Sequence, residues 1–106
     1  MMNVATTIDK EILGEIAAES IRKINPSQAN GRRWINAVAK AVVEIENNPY
    51  LAYEHDSHSL TMLSQSTGTV YTANGTCQCK AFEQGQPCYH RAASRLIAIY
   101  VERNRQ

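Results

Sequence analysis

Three cysteines and one histidine fall within fourteen residues of this 106-residue chain, as Cys77-Gln78-Cys79, an eight-residue spacer, and Cys88-Tyr89-His90. No other cysteine occurs. Thiolate and imidazole are the donors a structural zinc ion takes, four of them in a tetrahedron. An odd cysteine count fits metal ligation better than a disulfide framework. The spacing is workable. In an extended segment residues i and i+2 point to the same side, so Cys77 and Cys79 can grip one ion together. On a helix the same spacing diverges by about 200°. Cys88 must therefore lie just ahead of a helix and His90 in its first turn. Pro87 suits that boundary, and Gly85 lets the intervening loop fold back. The competing explanation is three inert, buried cysteines. The polar spacer residues Gln78, Lys80, Glu83, Gln84 and Gln86 fit a core poorly. Zinc is the expected cofactor. An iron–sulfur cluster is the other metal reading, although four cysteines are its usual ligand set.

A Cys-x-Cys pair, a short spacer and a Cys-x-His pair that opens a helix resemble the SWIM zinc finger. The likeness spans about Leu60 to Tyr100, with strands ahead of the first ligand pair and a helix after the second. The resemblance implies a ββα zinc fold and a role in binding DNA or protein, and it implies no catalytic activity. SWIM fingers usually accompany larger catalytic proteins, whereas only two helices stand beside this one. The whole chain is also similar to small bacterial and phage-type SWIM proteins.

Other chemistry is thinly represented. Four good ligands close a zinc site and leave no open position for a substrate. No nucleophile–base pair is recognisable, and Glu83 in the ligand loop would serve as a base only if a ligand were missing. A non-enzyme is expected. His55 and His58, with Asp56 between them, form a weak second metal candidate; a solvated hairpin turn explains them better. Lys80, Arg91 and Arg95 flank the metal pattern and, with Arg103 and Arg105, outline a nucleic-acid-binding face. The plainer reading is a solvated helix whose arginines cover apolar surface with their stems. Arg32 and Arg33 begin the second helix, at the positive end of its dipole, where basic side chains are mildly unfavourable.

The elements that must position these groups follow from periodicity. Ile12, Leu13, Ile16, Ala17, Ile21 and Ile24 mark one stripe of a helix from Thr7 to Ile24, capped by Thr6 or Thr7 and stopped at Asn25-Pro26. Trp34, Val38, Ala41, Val42 and Ile45 mark a second helix from about Gln28 to Glu46. The period then changes. Tyr50 to Glu54, Leu60 to Ser64 and Thr69 to Ala73 read as a three-stranded antiparallel meander, with a turn at Asn74-Gly75. Trp34 and Tyr50 are assigned to the core, and strand positions account for Tyr53 and Tyr71. Tyr89, Ala93, Leu96, Ile97 and Tyr100 stripe a third helix from Cys88 or Tyr89 to about Arg103.

These readings combine into an α+β fold in one domain, 1–106. Two N-terminal helices (7–49) pack on a three-stranded antiparallel sheet, and a zinc-stapled C-terminal helix completes the SWIM-like part (50–106). Dimerisation through the N-terminal helices would give so short a chain further core. No apolar run reaches the roughly 18 residues of a membrane span. The first nine residues lack a leader's basic start and apolar stretch, so a cytoplasmic protein is expected. The net charge of +1 argues for no partner by itself. Its distribution is uneven: residues 1–59 hold six Lys/Arg against eight Asp/Glu, and residues 60–106 hold five against two. The basic C-terminal half favours a nucleic-acid partner, DNA foremost. The near-neutral total and acidic N-terminal half favour a protein adaptor or inhibitor that docks on a larger nucleic-acid-processing enzyme.

Overall fold

The computed structural model describes residues 2–64, 67–74 and 76–104, with the backbone alone at positions 2, 5, 6 and 80. Along the chain, β1 (Met2–Asn3) and α1 (Val4–Thr7) lead into α2 (Lys10–Arg22) and α3 (Gly31–Asn47). Then come β2 (Leu51–Glu54), β3 (Ser59–Leu63) and β4 (Val70–Ala73), the short α4 (Lys80–Glu83), and α5 (Tyr89–Arg103). The sheet is antiparallel in the order β1-β2-β3-β4. The meander read from the sequence is β2 to β4. A fourth strand, β1, adds to its edge by pairing Met2 with Tyr53 and Asn3 with Ala52. Two residues carry no readable period, so periodicity could not reveal it.

Helix boundaries differ from the sequence reading for local reasons. The first long helix begins at Lys10, because Asp9 caps it: the Asp9 carboxylate accepts the backbone N–H groups of Glu11 and Ile12 at 2.9 and 3.2 Å. The hydroxyl of Tyr100 in turn accepts the Asp9 N–H at 2.9 Å, which ties this cap to α5. The second begins at Gly31 rather than Gln28. The chain between them turns tightly, with Asn30 at φ 64°. A Cβ on Gly31 would stand 2.1 Å from the Asn25 carbonyl oxygen, so only glycine permits this entry.

The main core lies where α2, α3 and α5 meet the inner face of the sheet. Leu13 and Ile16, Val38, Ala41 and Ile45, and Ala93, Leu96, Ile97 and Tyr100 come from the three helices. Leu51, Tyr53, Leu60 and Met62 come from the strands. The predicted stripes supply these positions. Buried Asn48 joins α3 to the sheet, donating to the Leu63 carbonyl at 2.9 Å and accepting the Tyr50 N–H at 2.9 Å.

Tyr50 is a correction. Its ring predicts a core position, yet it is 58% exposed. Leu51 and Tyr53 take the inward positions, so strand alternation turns Tyr50 outward. Register sets it beside Leu63 and Val70, an apolar row on the outer face of the sheet. Trp34 is half-buried and packs against the core from its margin.

Candidate metal centre

The ligand residues sit in a second, smaller buried cluster. Ala73, Cys77, Cys79 and Cys88 form it, with Tyr71, Ala81 and Phe82 packed around them. Cys77 and Cys79 follow β4 in an irregular stretch, both buried, with Gln78 exposed between them. This is the alternation that lets an i, i+2 pair face one point. Gln78 anchors the pair from outside. Its side-chain oxygen accepts the Thr72 N–H at 2.9 Å, tying the two ligands to the outer edge of β4. The sequence offered no signal for that contact.

The eight-residue spacer folds as α4 followed by a turn. The Cys79 carbonyl accepts the Glu83 N–H at 3.2 Å, and Gly85 (φ 72°) lets the Gln86 N–H reach back to the Ala81 carbonyl at 2.8 Å. Glycine suits that left-handed position. The helical turn was missed because four residues are too few for a period. Cys88 is the N-cap of α5, and its sulfur accepts the Arg91 N–H at 3.4 Å. His90 then lies in the first turn, as the ligand spacing required.

The candidate donor atoms of Cys77, Cys79, Cys88 and His90 all lie within 4.8 Å of one another, and all four residues are buried. A tetrahedral zinc with bonds of about 2.0–2.3 Å needs donor separations of about 3.3–3.8 Å. A contraction of about an ångström therefore closes the set on one ion. Two further observations fit a metal. Both ring nitrogens of His90 are buried without a hydrogen-bond partner, although an imidazole in the interior ordinarily has one. The three cysteines are free. Burial pushes the Cys77 thiol up to about 12, burial likewise raises Cys88, and burial lowers His90. Without a cation the pocket rejects charged thiolates. A bound cation would reverse that preference, because coordination deprotonates a thiol. Three cysteines and one histidine thus make a donor set consistent with zinc. Among the described residues, no other group of three or more His, Cys, Asp or Glu side chains converges in this way.

Aromatic stacking orients the histidine. The Tyr71 ring lies on His90 at 4.5 Å with a 25° tilt, and Tyr89 lies at 4.1 Å. The Lys40 ammonium covers Tyr89 at 4.3 Å. Ligand histidines are usually held by a hydrogen bond from the second ring nitrogen. Here rings do the holding.

The basic residues predicted around the finger separate in space. The Arg91 guanidinium lies between Trp34 (5.4 Å) and Phe82 (5.2 Å), bridging α3 and α4 beside the metal cluster. Arg95 is exposed one turn further along α5. Arg103 forms an ion pair with Glu19 of α2. The side chain of Lys80 and all of Arg105 lie outside the described residues. His55 and His58 form an edge-on pair at 5.7 Å in the β2–β3 turn, where the Tyr53 hydroxyl meets His58 Nδ1 at 3.2 Å. Among the described residues, no helix is long and apolar enough to cross a membrane.

Two recesses border this region. One, of about 560 Å³, runs between α3 and the ligand loop and is lined by Arg33, Asn36, Lys40, Gln86 and Tyr89 among others. The other, of about 600 Å³, runs along α5 past Lys23, Trp34, His58, Arg91 and Arg95. Among the described residues, five Lys/Arg line the two and no Asp or Glu does.

Comparison with known proteins agrees with this geometry. Residues 69–94 match the family model of the SWIM zinc finger. No curated protein and no solved structure matches the chain.

Proposed function

We propose that this zinc-binding protein, with its SWIM zinc finger at residues 69–94, is a nucleic-acid-binding module that acts on DNA. In this reading Cys77, Cys79, Cys88 and His90 hold one structural zinc. The ion shapes the fold and performs no chemistry, because four protein donors leave no open coordination position. Function then belongs to the surface that the metal stabilises. The observation that carries the reading is the pair of recesses beside the finger, whose described lining holds five cationic side chains and no Asp or Glu. Phosphate contacts are made by such cations, and binding through them weakens steeply with salt. Of the arginines singled out from sequence, Arg91 and Arg95 line a recess and carry this role. Arg103 is already paired with Glu19 and contributes less, and Lys80 follows Cys79 in the ligand loop. Free thiol ligands require a reducing compartment, which supports the cytoplasm.

The test is a mobility-shift series with the zinc-loaded chain and DNA across a salt range. The expected result is binding at low salt that fades along a straight line in log salt. Absence of a shift even at the lowest salt would remove the reading.

One observation favours the adaptor alternative. Tyr50 and Val70 are 58% and 59% exposed and stand in one row with Leu63 on the outer face of the sheet. A protein partner seated there would co-purify with the chain and shield those side chains.

A further inference from the structure

The recess along α5 differs from a flat basic face. Its buried and half-buried lining is largely apolar, with Ile24, Val38, Leu96, Ile99 and Trp34. Its rim carries Lys23, Arg91, Arg95 and His58, from the C-cap of α2, from α5 and from the β2–β3 turn. At about 600 Å³ it is of the size that encloses a compact ligand, within the usual roughly 300–1,000 Å³. A duplex keeps its bases stacked inward and offers a convex, charged backbone, which cannot fill an apolar lining. A single strand offers both parts, phosphates for the rim and unstacked bases for the lining. Resting on the nucleic-acid reading above, we infer that this groove is a single-strand site: it takes an unpaired base against Trp34 and the flanking phosphates on Lys23, Arg91 and Arg95.

The groove exists only in the assembled chain. Lys23, Ile24, Trp34 and Val38 come from the N-terminal helices and their connection, outside the stretch that matches the SWIM model, whereas Arg91 lies within it. Arg91 reaches across, over the Trp34 ring at 5.4 Å, so this rim cation is already held in place. A planar guanidinium fixed by an aromatic ring loses little freedom when it meets a phosphate.

Trp34 is the chain's single tryptophan and lines this groove, so its emission reports on what binds there. The experiment titrates the zinc-loaded full chain at low salt with a single-stranded DNA of about 12 nucleotides, with the matching duplex, and with a Glu-rich peptide of equal charge. Single strand should quench Trp34 and bind at least about tenfold tighter than duplex, since stacking strengthens binding by about that much per base. Lys23→Glu and Arg95→Glu should each weaken the single strand and reduce the salt slope by about 0.7 per lost phosphate contact. Lys10→Glu, an equal charge change outside the groove, should not. Duplex binding as tight as single strand, or single-strand binding that leaves Trp34 emission unchanged, would overturn the inference and spare the broader reading. The peptide displacing the strand at equal concentration would also overturn it. If nothing binds at low salt, inference and reading fall together.

Discussion

The two buried clusters of this molecule are built on different physics. Around the sheet, seventeen described residues from α1, α2, α3, α5, β2 and β3 form an apolar core. Around the ligand loop, the buried cluster among the described residues is Ala73 and three cysteines, with Tyr71, Ala81 and Phe82 against it. The first can be held by the transfer of apolar surface out of water, which contributes roughly 1.5–3 kcal/mol for each large side chain. The second has too few such side chains to close a ligand pair, a four-residue helix and a turn. It needs a cross-link, and four converging donors provide the place for one. A metal held there and the apolar core would thus stabilise separate parts of one chain. α5 joins them, with its N-cap in the small cluster and its middle in the large one.

Removing the metal attacks this contrast most strongly. Chelation, or Cys88→Ser, should free residues 76–90 and lower the melting temperature of the chain. Apparent zinc-binding energies in small zinc domains are about 10–16 kcal/mol, enough to decide whether such a segment folds. Hydrogen exchange should show protection lost first in the ligand loop, and elemental analysis should show one zinc per chain before treatment. Protein that keeps its melting point after complete chelation would refute a structural metal.

Leu96→Ala attacks the other cluster. Leu96 is 2% exposed in the middle of α5, and its truncation should cost about 2–5 kcal/mol. Denaturant titration measures that loss, and the folded fraction should keep its zinc. If zinc is lost in the folded state too, the two clusters are not separable.

Solution pH distinguishes them further, because the cysteines and the histidine whose titration burial shifts belong to the ligand set of the small cluster. Burial holds Cys77 up at about 12 and lowers His90. In the metal-free chain the raised thiol contributes stability below the ordinary thiol range and loses it as pH climbs towards 12. The lowered imidazole contributes stability above its ordinary range and loses it as pH falls through its folded value. Metal-free protein should therefore be most stable between roughly pH 6.5 and 8.5. The zinc-loaded chain should part from it. Its ligands must be deprotonated, so zinc should add least at acid pH and progressively more as pH rises to neutrality and above. Paired melting curves across this range test the point, and parallel curves would count against thiolate ligation.

The smallest expected effect is Tyr71→Leu. It removes the ring stacked on His90 at 4.5 Å while keeping an apolar side chain at the site. A loss of about 0.5–1.5 kcal/mol should follow, with zinc released faster to a competing chelator. Equal release from both proteins would mean that the ring only fills space.

The convergence of four donors and the three long helices were legible because each depends on local spacing. Cys77 and Cys79 are buried to either side of exposed Gln78, and Leu13, Ala41 and Leu96 lie on helical stripes. What escaped has no period of its own. β1 is two residues, α4 is four, and Gln78 reaches a backbone N–H six residues back. Tyr50 failed for a related reason: hydrophobicity suggests burial, but the parity of the strand decides which side it takes. Trp34 showed its apolar character in the sequence, but not that its ring would lie against Arg91 of a helix more than fifty residues away.

An α+β chain with four donors spaced for one ion could be read without coordinates, because donor type and residue period are properties of short segments. Which cations remain available was settled by packing alone. Packing paired Arg103 with Glu19, stacked Arg91 between Trp34 and Phe82, and brought Lys23 and Arg95 to the rim of one groove. Charges far apart in the chain acquire a shared surface only when helices pack, and no local pattern encodes which of them will meet.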